Sequence, residues 1–130
     1  QGFKILQPGK GIMVLSTGFM TQHVLHAIKN LKHPEQIGVV DVFRLKPFPS
    51  GIKAIMKRSK QLITVEEHTI VGGLGTAIAE LLCDNGLFIP LKRLAVSDRQ
   101  LDQFGSRAWL QKVNHLNEDF IAKILANMRV

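Results

Sequence analysis

The sequence predicts an α/β fold of the three-layer α/β/α kind, with a mostly parallel sheet between helical layers. Three observations carry that expectation. Short apolar runs alternate along the chain with stretches whose apolar residues recur every three or four positions. One run, Ile12-Met13-Val14-Leu15, is apolar without interruption, as a strand covered on both faces must be. The runs are spaced by helix-length segments, which implies βαβ crossovers.

Taken in order, Phe3 to Leu6 predicts a first short strand, closed by a turn at Pro8-Gly9. Ile12 to Leu15 is the second, ending at Ser16-Thr17-Gly18. Met20, Val24, Ala27, Ile28 and Leu31 then keep helical spacing, and His33-Pro34 stops that helix because proline disfavours helical geometry in the residue before it. Ile37 to Leu45 reads as a strand and ends at Lys46-Pro47-Phe48-Pro49. Ser50 is the expected N-cap of a helix carrying Ile52, Ile55 and Met56. Leu62 to Val65 is another buried strand, leading through Glu66-Glu67-His68 to the glycine loop Gly72-Gly73-Leu74-Gly75. The following helix places Leu74, Ala77, Ile78, Leu81 and Leu82 on one face, and Asn85-Gly86 ends it. Pro90 to Val96 is the last strand. Ser106 is expected to cap a short helix bearing Trp109, Leu110 and Val113, and Asn117 a final helix with Phe120, Ile121, Ile124, Leu125 and Met128 as its apolar stripe.

One domain covering residues 1–130 is expected from this length, and the chain's start at Gln1 suggests a piece of a longer protein. Hydrophobic residues are 45% and charged residues 21%, which excludes a disordered chain. No apolar run approaches the ~20 residues that span a bilayer. Cys83 is the single cysteine, so an internal disulfide is excluded and a reducing, cytoplasmic location is expected. The net charge of +7 raises a nucleic-acid reading, through Lys53, Lys57, Lys60 and Arg58 near one helix face. That stripe has no interleaved aromatics for stacking on bases, so a solvated helix face is the expectation. Neither nucleic acid nor membrane is expected as a partner.

The glycine loop carries the most chemistry. Glycines between a strand and a helix permit positive φ and close backbone approach, and free N–H groups at a helix start attract anions. The spacing is poor for a dinucleotide fingerprint, since Ile78 stands at the third small position, and no P-loop sequence exists. Replacing Gly72 or Gly73 by valine is expected to destabilise the fold if that glycine has positive φ. Glu66 and Glu67 are neighbours on an extended chain and should point to opposite faces, each more suited to anchoring than to acid–base work. His23, His26, His33, His68 and His115 form no zinc spacing, and only His68 adjoins the glycine loop. Ser16-Thr17-Gly18 could offer a hydroxyl at the loop edge, Arg99 of Asp98-Arg99 could clamp a carboxylate, and Cys83 should be a buried, inert thiol.

In order along the chain, several segments resemble the C-terminal domain of the transketolase superfamily. They are Val14-Leu15-Ser16-Thr17-Gly18, Phe43-Arg44-Leu45-Lys46-Pro47, Thr64-Val65-Glu66-Glu67-His68 with Gly72-Gly73-Leu74-Gly75, and Asp98-Arg99 with Gly105-Ser106. The likeness is strongest to split bacterial transketolases and 1-deoxyxylulose-5-phosphate synthase, with the beta subunits of 2-oxoacid dehydrogenases similar but further away. Gln100 and Phe48-Pro49 depart from the usual pattern. The resemblance implies a five-stranded mixed sheet whose first strand is antiparallel. It implies a parent enzyme that transfers two-carbon ketol units between phosphorylated sugars, or a module docking an acyltransferase core as in 2-oxoacid dehydrogenases. Thiamine diphosphate and magnesium would be held by pyrimidine-binding and diphosphate-binding domains or subunits outside this chain, in a homodimer. No catalytic or metal-binding residue is expected within it. The interface candidates are Ser16, Thr17, Gly18, Glu66, Glu67, His68, Gly72, Gly73, Gly75, Asp98 and Arg99, which the loops after parallel strands would gather at one sheet edge.

Overall fold

Successive side chains of a strand point to opposite faces, so a strand that is apolar at every position needs cover on both. Ile12–Ser16 has that cover along its whole length. The computed structural model describes residues 1–129. Its elements are β1 (Phe3–Gln7), β2 (Ile12–Ser16), α1 (Met20–Lys29), β3 (Ile37–Val42), α2 (Ile52–Lys57), β4 (Gln61–Thr69), α3 (Leu74–Asp84), β5 (Leu91–Val96), α4 (Arg107–Val113) and α5 (Glu118–Asn127). The strands form one sheet in the order β1-β3-β2-β4-β5, with β1 antiparallel to β3 and the other pairs parallel. This is the three-layer α/β/α arrangement with a five-stranded, mostly parallel mixed sheet.

The alternation sorts the core into two layers. Ile12, Val14, Val39, Ile63 and Val65 meet Met20, Val24 and Ile28 of α1 and Ile121 and Leu125 of α5. Met13, Leu15, Val40 and Leu62 meet Ile52 and Met56 of α2 and Leu74, Ile78 and Leu82 of α3. Each large aliphatic side chain so buried contributes roughly 1.5–3 kcal/mol. In-register pairing, with Val14 opposite both Val39 and Ile63, aligns the carboxyl ends of β2, β3 and β4.

Several boundaries differ from the sequence expectation, each for a local reason. β3 stops at Val42 because the amides of Phe43 and Arg44 both donate to the Gly2 carbonyl, which draws the chain towards the cis Lys46–Pro47 bond. β4 runs on to Thr69, past the end of β2, and re-pairs with β5 at Thr69 and Val96 after an irregularity. Ser50 does not cap α2; the first turn is closed by backbone bonds to Pro49, Ser50 and Gly51 carbonyls. Asn117 has cap geometry without a side-chain cap bond, whereas Ser106 Oγ does accept from the Trp109 amide. α2 ends at Lys57, so Lys60 lies beyond the helix and the basic stripe is broken. Cys83 is exposed, because the inward stripe of α3 falls on Leu74, Ile78 and Leu82 and the next residue turns outward.

Gly9, in the turn joining β1 to β2, lies against β3. A Cβ there would stand 2.5 Å from the Gly38 Cα. Gly9→Ala is therefore expected to lower stability by ~1–3 kcal/mol through overpacking. A denaturant midpoint equal to that of the parent chain would contradict the contact.

Candidate functional site

A helix opens with backbone N–H groups that have no partner within the helix. α3 opens at the buried Leu74 and Gly75, where water cannot supply acceptors. The acceptor is Glu66. Its side chain is 1% exposed, Oε1 accepts from the Leu74 amide at 2.8 Å and Oε2 from the Gly75 amide at 2.6 Å. The carboxylate thus occupies the anion position at the helix start, where its charge also opposes the positive end of the helix dipole.

The glycines take their places around this carboxylate for different reasons. Gly72 has φ +81 and open space around it, so backbone conformation alone selects it. Gly73 has no positive φ; a Cβ there would collide with Glu66 Oε1 and stand 2.8 Å from its Cδ. At Gly75 a Cβ would meet Arg93 Cδ at 2.7 Å and Thr64 Oγ1 at 2.9 Å, which is how closely α3 lies on the sheet. The loop is tied down as well. Thr76 Oγ1 donates to the Ile70 carbonyl at 3.0 Å and accepts from the Gly72 amide at 3.0 Å, while Arg93 Nη1 donates to the same carbonyl at 3.2 Å. His68 is exposed, with Nδ1 2.9 Å from the Thr69 carbonyl oxygen and 4.0 Å from Glu66 Oε1.

Glu67 faces the other way, towards α4. Its carboxylate accepts from Arg107 Nε at 2.9 and 3.1 Å, from Arg107 Nη2, and from Gln111 Nε2 at 3.1 Å. The Arg107 hydrogen bonds hold this carboxyl below the usual carboxylate range, with partial burial opposing them and Gln111 assisting. The same guanidinium lies 4.0 Å from the centre of the Phe19 ring, a cation–π contact that joins α4 to the start of α1.

On this face Ser16 is fully buried rather than presented at the loop edge. Its hydroxyl bonds Thr21 Oγ1 at 2.9 Å, and Thr21 donates to Asp41 Oδ1 at 3.0 Å. Thr17 is half-buried, and Gly18, at φ +61, gives its carbonyl to the Thr21 amide. Asp98 and Arg99 are exposed and make no side-chain bond to the other candidates among the described residues. His23 and His26 both approach Glu118 Oε1, at 3.6 and 3.0 Å, linking α1 to α5.

Sequence reasoning missed Arg107, Gln111, Thr21, Asp41 and Arg93. No local signal marks them, because their partners lie 17 to 44 residues away or on a different element. Among the described residues no cluster of three His, Cys, Asp or Glu could hold a metal ion, and no helix is long and apolar enough to cross a membrane.

Comparison with known proteins adds the context. Residues 2–119 match the sequence family described as transketolase, C-terminal domain. The chain is 34% identical over 101 residues to 1-deoxy-D-xylulose-5-phosphate synthase of Rippkaea orientalis, covering 76% of this chain and 16% of that one. It is 36% identical over 126 residues to the synthase of the same name from Phocaeicola vulgatus, covering 92% and 19%. A solved structure described as a split gene transketolase, inactive beta4 tetramer, superposes with a TM-score of 0.82 at 28% identity, covering 93% of this chain and 40% of that one. The chain thus spans about a sixth to two-fifths of the length of these relatives.

Glu66→Ala would leave two buried N–H groups without acceptors and is expected to cost ~2–4 kcal/mol. Glu66→Gln should recover only part of this, since the amide nitrogen faces a donor with a donor. Equal denaturant midpoints for the parent chain and Glu66→Ala would overturn the anchor. For Glu67, the lowered pKa means that the fold favours the ionised form. Its contribution to stability is present above the ordinary value of ~4.3 and is lost as pH falls through its own lower value. In Arg107→Ala the Glu67 titration should rise towards the ordinary value, and the stability gap between variant and parent should close in acid. Carboxyl-carbon NMR titration checks this, and an unmoved Glu67 titration contradicts it.

Proposed function

The chain belongs to the transketolase C-terminal domain family, and from that premise we propose that it is the assembly domain of a thiamine-diphosphate-dependent transketolase-type enzyme. The parent reaction is transfer of two-carbon ketol units between phosphorylated sugars. A synthase of 1-deoxy-D-xylulose-5-phosphate is the second reading, favoured by the names of the two bacterial relatives. In either case this chain is one domain of a longer or split enzyme, and the pyrimidine-binding and diphosphate-binding parts lie elsewhere.

The observation that carries the assembly role is how Glu66 and Glu67 are used. Both carboxylates are already bonded inside the chain, one to a helix start and the other to Arg107. Neither is positioned to move a proton on a substrate. The residues do not fit thiamine diphosphate either: the glycine loop's amides at Leu74 and Gly75 are occupied by Glu66, so a diphosphate finds no free N–H pair there. No catalytic step is therefore assigned to this chain.

Phe19 at the start of α1, which lies under the Arg107 guanidinium, is exposed, as are Trp109 in the same helix as Arg107 and Leu101 and Phe104 in the loop after β5. Exposed apolar surface of this kind, rimmed by charge, marks interaction sites. We assign its cover to the pyrimidine-binding domain of the parent enzyme or of its partner subunit, consistent with a dimer. Ser16, Thr17, Gly18, His68, Gly72, Gly73, Gly75, Asp98 and Arg99 then serve the edge that carries this surface.

In the assembled parent enzyme, Glu67→Ala frees Arg107 and loosens α4 over Phe19. Assembly is expected to weaken by about tenfold, with turnover per intact dimer nearly unchanged. Sedimentation paired with steady-state kinetics on the variant checks this. Intact assembly with a hundredfold drop in turnover would show that the edge takes part in catalysis.

A further inference from the structure

β5 pairs only with β4, so its outer side borders an open groove of about 460 Å³ closed by the end of α4 and by α5. That size lies within the roughly 300–1,000 Å³ range of small-molecule sites. Lys92 and Arg99 line it and make no ion pair among the described residues. Arg93 also reaches it, but its Nη1 is committed to the Ile70 carbonyl. No aspartate or glutamate is among the lining residues, while Val113, Phe120 and Ile124 give it an apolar side.

A second observation comes from the backbone. His115 has φ +58, the one non-glycine residue at positive φ among those described. It stands just past α4, where the Leu116 amide closes back on the Gln111 carbonyl at 2.8 Å. Glycine is the ordinary occupant of that position, because a Cβ strains the left-handed conformation. Here the side chain is kept, and its ring lies 4.7 Å from that of Phe120 with 31° between planes, at the wall of the groove. The strained position thus delivers an aromatic pair beside two unpaired cations.

We propose that this groove binds a small phosphorylated molecule carrying a flat ring, a nucleoside monophosphate being the simplest with that chemistry. Arg99 and Lys92 hold the phosphate, Arg99 with the paired donors suited to its oxygens and Lys92 as a point charge. The ring lies on His115 and Phe120, since every heteroaromatic base offers a face to stack. Ser97, at the same end as Arg99, supplies a hydroxyl to the polar end of the ligand.

The test is an NMR titration of the isotope-labelled chain with adenosine monophosphate, and with adenosine and inorganic phosphate as its two halves. Saturable shifts confined to residues 92–99 and 113–124 are expected, with each half binding at least about tenfold more weakly. Arg99→Ala and Lys92→Ala should each weaken binding about tenfold while the rest of the spectrum stays that of the folded chain. His115→Gly, which relieves the backbone, should abolish adenosine binding and leave that of phosphate. No saturable shift at millimolar nucleotide overturns the proposal, as does phosphate binding as tightly as the nucleotide. A short oligoadenylate that binds more tightly than the monophosphate would assign the groove to single-stranded nucleic acid instead.

Discussion

Two hydrogen bonds, from the Leu74 and Gly75 amides to the Glu66 carboxylate, settle how this chain's sheet meets its helices. A helix start buried against a sheet needs acceptors, and a buried carboxylate needs donors; each alone would be costly. Together they satisfy one another. The pairing requires β4 to extend beyond β2 and β3, so that Glu66 reaches the level of the helix start. It also requires glycine at position 73, since a side chain there would displace the carboxylate. The strand length, the glycine loop and the seating of α3 are therefore one constraint.

The next residue applies the same strand to the opposite layer. Because neighbouring side chains on a strand diverge, Glu67 meets Arg107 and Gln111 and so joins α4 to the sheet. Arg107 in turn rests on Phe19 at the start of α1. Two adjacent acids thus bind helices on both faces of the sheet. The edge looks rich in chemistry by sequence, yet these two carboxylates are spent on holding layers together.

Much of this was legible in the amino-acid order. The uninterrupted run Ile12–Leu15, the spacing from Met20 to Ile28 and the stripe of α5 reflect burial, which local pattern records directly. The divergence of Glu66 and Glu67 followed from strand geometry. The antiparallel first strand was implied only through resemblance, since no local pattern distinguishes its direction. The Glu67–Arg107 pair was not legible, because 40 residues separate the partners and either alone reads as a surface charge. Gln111 was hidden for the opposite reason. Its neighbours Trp109 and Leu110 suggested an apolar face, whereas the buried residue is the polar one that reaches Glu67. Ser16 looked like an exposed hydroxyl because the strand's end marks an edge, but α1 folds over it and Thr21 takes its bond.

The claim that Glu66 fills the anion position at the start of α3 has a direct measurement in the amide protons of Leu74 and Gly75. Hydrogen exchange followed by NMR should find both among the slowest in the chain, opening only with global unfolding. Adding inorganic pyrophosphate should leave their resonances where they are. Exchange at the rate of an exposed loop, or a saturable pyrophosphate shift at these two amides, would mean that the helix start is open to ligands and that this edge is a binding site.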